Sequence, residues 1–471
     1  MNTFVNAVRS QEARTENGMK ALQSSANNVV DLFYQIGASR GKDIIPKFVS
    51  AFCEDKNLAL RVSLWARDIR GGAGERQLFR DILLYLESNN PEVAEMILPK
   101  IPELGRWDDL LIFKSKMLKN IAFDMIRTAL EEKNGLCAKW MPRKGVLANE
   151  IRTYFGWSPK FYRKTIVGLT NVVETQMCKK EWNDINFSHV PSVAHARYKT
   201  AFYRNAGDVY VEWVKSLVEK NDPKVKINAG AVYPYDVLKG ALYTLRSMNK
   251  TEKDVIIEQW AALENFIGDA DILPMVDVSG SMTCPVGGNP NLTCLDVALS
   301  MGLYCAEKNT GKFKDTFLTF SMNPELLYLK GNVLQKIEQM SRSDWGMNTN
   351  IISAFNKILK VAKDGNVPQS EMPKVLLIFS DMQFDSCAKF DDSAIESINR
   401  RYTDAGYEVP KIVFWNLNAR DNMPVKYNEQ GVAMVSGFSP SILKAILSGD
   451  MEEFSPYSIM IKTIMSERYD F

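Results

Sequence analysis

The chemistry-bearing residues of this 471-residue chain concentrate in its second half, and they are oxygen donors. Asp277-Val278-Ser279-Gly280-Ser281 forms a D-x-S-x-S loop directly after the apolar run ILPMV. Asp381 ends the apolar run KVLLIFS, and Thr349 stands in WGMNTNI, just before a helical pattern. A small hard cation takes about six oxygens at about 2.0–2.1 Å and keeps several waters. Two serine hydroxyls, a threonine hydroxyl and one or two aspartates reached through water supply those oxygens without over-neutralising the ion. The ion expected is Mg²⁺ or another hard divalent cation such as Mn²⁺, with an open coordination position for an incoming carboxylate or phosphate. A D-x-S-x-S loop alone is common by chance. Its weight comes from the strand before it, the spaced threonine and the strand-terminal aspartate.

Those residues must be brought together by the elements that carry them. From Asp271 onward short apolar runs alternate with helical stretches: ILPMVDV, LDVALSMGLYCAEKN, KDTFLTFS, IISAFNKILKVAKDG, KVLLIFSD, DDSAIESINRRYTDAG, KIVFWNLN and GVAMVS. Buried strands alternating with helices of a dozen residues imply βαβ units and a mainly parallel, doubly wound sheet. Ligands of such sheets bind at the carboxyl ends of the strands, where all three metal-loop segments are expected.

Residues up to about 265 read differently. AEMILPKIPEL, KNIAFDMIRTALEEKNG and DVYVEWVKSLVEKND carry apolar residues at helical spacing and are broken by Gly, Pro and Asn. Consecutive short amphipathic helices pack as an α-solenoid or an irregular bundle. The expected division is therefore an all-helical domain, 1–265, and an α/β domain, 266–471. Arg70-Gly71-Gly72-Ala73-Gly74 is not followed by a Walker Lys-Ser pair, so it reads as a tight helix–helix connection rather than a phosphate loop. LGRWDDLL reads as a second buried junction.

Between Lys139 and Arg204 the balance tilts basic, with Arg143, Lys144, Arg152, Lys160, Arg163 and Lys164 among its cations and Trp157 among its interleaved aromatics. Cations that neutralise phosphates beside aromatics that stack bases suit single-stranded RNA. The bland alternative is a helical core of aromatics under a solvated charged face.

Composition sets outer limits. The chain is 46% hydrophobic and 24% charged with a formal net charge of +2, so any nucleic-acid surface must be local. Seven cysteines without short paired spacing argue against a disulfide framework or a structural zinc site and for a reducing compartment. Two histidines, His189 and His195, are too few for a His-based centre spread over both halves. No apolar run approaches bilayer length and no signal peptide is visible, so a soluble cytoplasmic protein without membrane contact is expected.

The D-x-S-x-S loop, the threonine and the strand-terminal aspartate resemble the metal-ion-dependent adhesion site of von Willebrand factor A domains. That resemblance implies direct ligation by Ser279, Ser281 and Thr349, with Asp277 and Asp381 holding the water shell. Two features depart from the family: Met382-Gln383-Phe384-Asp385 follows the last aspartate where glycine is frequent, and an insertion, Thr283 to Asn291, follows the metal loop. A helical half followed by such a domain resembles the Ro/TROVE proteins, in which HEAT-like repeats form a ring closed by an A domain. RDIRGGAGERQLF, KWMPRKG, FGWSPKFYRKTI and SDMQFD are more closely similar to a family of unknown function found in viruses, fungi and plants. The Ro resemblance implies a non-catalytic scaffold that binds small noncoding or single-stranded RNA through the helical half, at Arg143, Lys144, Arg152, Trp157, Lys160, Arg163 and Lys164, and docks a partner through the metal. Two alternatives are a metal-dependent protein–protein module without RNA and a metal-dependent hydrolase using Asp381 and Asp385. No second carboxylate cluster supports the hydrolase.

Overall fold

The computed structural model describes residues 12–287, 289–320, 324–340, 350–385, 394–420, 422–447 and 453–471. The helical half follows from capping as much as from periodicity. Asn27, Asp55, Ser115, Asn134 and Ser158 each precede a helix and accept a hydrogen bond from an N–H in its first turn. The three segments with helical spacing all lie in helices. AEMILPKIPEL is divided by Pro99 into Pro91–Ile97 and Lys100–Leu104, KNIAFDMIRTALEEKNG fills most of Lys116–Glu131, and DVYVEWVKSLVEKND falls in Ser192–Glu219. The last of these is two helices joined at Gly207, whose φ of 47° and ψ of −119° break the helical path.

The glycine-rich turn joins Lys56–Arg67 to Arg76–Asn89. A Cβ at Gly72 would stand 1.8 Å from the Trp65 carbonyl oxygen, so only glycine lets the turn fold back on the helix it leaves. Beside it the fully buried Asp109 of LGRWDDLL accepts from Arg67 Nε and Nη2 at 2.8 and 2.6 Å, and from Arg80 Nε at 2.6 Å. Both stretches are structural junctions.

The last helix before the sheet is Lys250–Ala261. The sheet has six strands, β1 (Ile272–Asp277), β2 (Thr316–Phe320), β3 (Leu326–Tyr328), β4 (Val375–Ser380), β5 (Lys411–Asn416) and β6 (Val432–Ser436), in the order β6-β5-β4-β1-β2-β3. Only the β2–β3 pairing is antiparallel. Every residue of β1 and β4 is buried, which explains why these strands read as unbroken apolar runs. The chain moves outward from β1 through β2 to β3, then returns to β4 and proceeds the other way. The reversal places a crevice at the carboxyl ends of β1 and β4.

The two halves share one hydrophobic core. Helix Asn28–Ile36 is buried along nearly its whole length and lies on β6. Ser436 Oγ accepts from the Gly37 N–H at 3.0 Å and donates to the Phe33 carbonyl at 3.0 Å. A Cβ on Gly37 would come within 2.8 Å of the Ser436 carbonyl. A second, smaller core gathers Phe187, Phe202, Tyr210 and Val255. No helix of the described residues is long and apolar enough to cross a membrane.

Candidate metal centre

β1 delivers Asp277 to the crevice, and β4 delivers Ser380 with Asp381 immediately after it. Asp277 Oδ1 accepts from the Ser279 N–H at 2.9 Å, which turns the chain so that the Ser279 and Ser281 hydroxyls stand 3.0 Å apart. Ser281 Oγ donates to Asp381 Oδ1 at 3.3 Å. Ser380 Oγ donates to Asp277 Oδ2 at 2.6 Å and accepts from the Met382 N–H at 2.9 Å, pinning one strand end to the other. Met382 takes a φ of 63°, the left-handed turn that glycine often supplies, and is buried there. Four of the five expected metal residues, Asp277, Ser279, Ser281 and Asp381, thus meet at one point. Thr349 lies outside the described residues.

The electrostatics of this point suit a cation. Both carboxylates are fully buried. Burial, reinforced by the Asp381 carboxylate, pushes the Asp277 carboxyl up to about 7, and burial also raises Asp381. Asp381 Oδ2 has no hydrogen-bond partner among the described residues, and its nearest cation is Arg420 Nη2 at 4.0 Å. Two buried carboxyl groups and an orphaned oxygen are costly to ionise without a positive ion between them. Among the described residues no group of three or more His, Cys, Asp or Glu side chains is placed to hold a metal ion, so two carboxylates and the serine hydroxyls are the donors gathered here. Such a carboxylate-plus-hydroxyl set has the chemistry that a hard divalent cation takes.

Several residues around the site were not found from sequence. The segment Arg14–Gly18 crosses the loop that follows Asp381. Thr15 Oγ1 donates to the Phe384 carbonyl at 2.6 Å, the Glu16 N–H to Gln383 Oε1 at 2.7 Å and Asn17 Nδ2 to the Gln383 carbonyl at 2.7 Å. Arg420 pairs with Glu16 at 2.8 Å. Beside them opens a cleft of about 530 Å³ whose walls carry Arg14, Lys42, Lys47 and Arg420 against Glu16 and Asp43. Of these neighbours only Ser380, directly before Asp381, carried a local signal. The insertion after the metal loop folds into a small hairpin, Pro285–Val286 with Asn289–Thr293, and Gly287 packs against Arg40 and Gly41 of the helical half.

The basic stretch divides into surface and core. Arg143, Lys144, Lys160, Arg163 and Lys164 are exposed, and none forms an ion pair among the described residues; Arg152 is half-buried. Lys160, Arg163 and Lys164 share a face of helix Pro159–Leu169 with the exposed Val167. Arg143 and Lys144 sit in the turn before helix Val146–Tyr154. Four of the aromatics are packing residues: Phe155, Tyr162, Phe187 and Phe202 are buried, whereas Tyr154, Phe161 and Tyr203 are exposed. Trp140 lies under Arg106, 3.4 Å from guanidinium carbon to ring centroid. Trp157 is half-buried, edge-on to the buried Phe155 and the exposed Phe161, each at 5.0 Å between ring centroids.

The comparisons with known proteins cover the whole arrangement. A family described as Domain of unknown function (DUF2828) matches residues 15–111 and 147–271, and one described as Domain of unknown function (DUF7788) matches residues 271–466. "Uncharacterized protein L728" of Acanthamoeba polyphaga mimivirus is 30% identical over 516 aligned residues, 96% of this chain and 86% of that protein. Among solved structures, the Ro (RSR) protein of Deinococcus radiodurans is similar over 93% of each chain, with a TM-score of 0.39 and 15% identity. The chain belongs to the family of the mimivirus protein, with a DUF2828 region leading into a DUF7788 domain.

Proposed function

We propose that this protein is a non-catalytic scaffold that docks an anionic partner group at a divalent cation and holds single-stranded RNA on its helical half. The observation that carries the docking part is the meeting of Asp277, Ser279, Ser281 and Asp381 at the switch point, with an orphaned carboxylate oxygen facing it. Ser279 and Ser281 would hold the cation directly, joined by Thr349, while Asp277 and Asp381 would order its waters. Mg²⁺, or Mn²⁺ in its place, would leave a position for a carboxylate or phosphate, and the cationic cleft beside it favours the same sign of charge.

The RNA part is supported by the exposed cations at positions 143, 144, 160, 163 and 164, none ion-paired among the described residues, and by the half-buried Trp157. Six to ten phosphate contacts would lose about 10³–10⁵ in affinity between 50 and 200 mM salt. Fluorescence anisotropy of a labelled single-stranded RNA should show saturable binding at low salt that weakens steeply as salt rises. No saturable binding at low salt ends this part of the reading.

A protein–protein module is the second reading, favoured by the burial of Phe155, Tyr162, Phe187 and Phe202, which removes these four aromatics of the basic stretch from any base-stacking role. It expects a metal-dependent protein partner lost on chelation, and purified protein whose absorbance ratio shows no nucleic acid. A hydrolase would need a general base near the ion. Asp381 Oδ1 is engaged by Ser281 and Gln383, and no histidine lies in this half of the chain to share that role.

A further inference from the structure

The insertion after the metal loop brings together two cysteines that stand ten residues apart in sequence. Cys284 and Cys294 flank its small hairpin, and their sulfurs lie 3.4 Å apart. The Cys294 N–H, at the start of helix Cys294–Lys308, donates to the Cys284 carbonyl at 3.1 Å, next to the Pro285–Thr293 pair of the hairpin. The sulfurs must close from 3.4 Å to the bond length of about 2.05 Å.

The surroundings give the two thiols different access. Cys284 is half-exposed and its sulfur accepts from Asn418 Nδ2 at 3.4 Å. Cys294 is buried, with its sulfur 3.8 Å from the Leu417 carbonyl. The Cys284 N–H also donates to the Ser281 carbonyl at 3.2 Å, so the hairpin is tied to the turn that carries a proposed cation ligand.

We propose that Cys284 and Cys294 form a reversible dithiol–disulfide couple that makes this hairpin, and the loop before it, redox-responsive. The oxidant is a low-molecular-weight disulfide such as oxidised glutathione. Cys284, as its thiolate, attacks one glutathione sulfur and expels the other as a thiolate, leaving a mixed disulfide. Cys294 gives up its proton to solvent and attacks the Cys284 sulfur, releasing the second glutathione. One protein disulfide forms, one glutathione disulfide is reduced, and two glutathione thiols leave. Such bonds in reducing compartments are transient and regulatory rather than structural, which accords with the cysteine usage of the chain.

The test is a titration of the full chain in glutathione buffers of rising oxidised fraction, with rapid alkylation and peptide mass spectrometry. A cross-linked Cys284–Cys294 peptide pair, reversed by dithiothreitol, is expected. In Cys294→Ser, Cys284 should remain as a glutathione adduct, because the resolving thiol is gone. Hydrogen–deuterium exchange of the amides from Ser281 to Cys294 should slow on oxidation in the native sequence and not in Cys294→Ser. The proposal is overturned if Cys284 and Cys294 stay alkylatable where the exposed Cys53 and Cys178 are already modified. It is equally overturned if the cross-link forms and exchange around Ser281 is unchanged. Neither readout depends on a bound cation, so both stand apart from the docking reading.

Discussion

The crevice at β1 and β4 and the cationic helices around Trp157 solve opposite electrostatic problems. At the crevice two carboxylates are fully buried and pinned by Ser279, Ser281 and Ser380, while Asp381 Oδ2 lacks a hydrogen-bond partner among the described residues. On the helices, Lys160, Arg163 and Lys164 project from a single helical face into solvent, with no acid paired to them among the described residues. In the proposed reading the first region receives one ion of fixed geometry, and the second acts as a diffuse field on a flexible polyanion. The contrast separates a geometric site, where one atom removed should be decisive, from an electrostatic one, where charges act in sum.

The largest expected effect tests that separation at the crevice. Asp381→Ala should weaken Mn²⁺ binding by about 100-fold or more, by analogy with losses of about 10–100-fold when partners of metal ligands are removed. Titration calorimetry would show it, and unchanged affinity would move the cation elsewhere. RNA affinity at fixed salt should barely change in the same variant, because the two regions do not share residues.

On the helical side, a Lys160→Ala, Arg163→Ala, Lys164→Ala triple variant should lower the slope of log affinity against log salt by about 2, from roughly 0.7 per phosphate contact on a single strand. An unaltered slope would mean that this face does not touch RNA. Trp157→Ala asks whether the half-buried ring stacks on a base. It should cost RNA binding about 1–3 kcal/mol if it does, with little change in slope. Phe155→Ala, its buried neighbour, should instead destabilise the fold by about 3–5 kcal/mol.

The smallest effect concerns pH. Burial and Asp381 push Asp277 up to about 7, so a cation must displace a proton below that value. Mn²⁺ affinity should fall about tenfold from pH 8 to pH 6 and level off above pH 8. In the cation-free chain the sign for stability follows from the same shift. The folded form keeps a proton that the unfolded form, with an ordinary value of 3.8, has released. This contribution is therefore most favourable below about pH 4 and is lost as pH climbs through about 7. Thermal melts in chelator for the native sequence and Asp277→Asn should converge at low pH and diverge toward pH 8.

The two regions also differ in how much of them could be read from the chain. Asp277 and Asp381 were legible because each ends a fully buried strand, and parallel sheets place such residues at one edge. The helical half and the mainly parallel sheet were legible for the same reason: periodicity and caps are local. The partners that complete the crevice were not. Glu16 reaches Gln383, and Arg420 reaches Glu16, across separations of 367 and 404 residues that leave no pattern in sequence. In the basic stretch, composition could not say which aromatics face inward. Phe155 and Trp157 are two residues apart and have the same chemistry, yet one is core and the other half-exposed, because a turn at Gly156 intervenes.

Anomalous scattering at the manganese edge, from crystals grown with Mn²⁺, tests the central claim most directly. The account predicts one peak per chain, bounded by Ser279, Ser281 and Asp381 and absent from crystals of a Ser279→Ala, Ser281→Ala variant. A crevice with no peak, or a peak that survives in that variant, would contradict it.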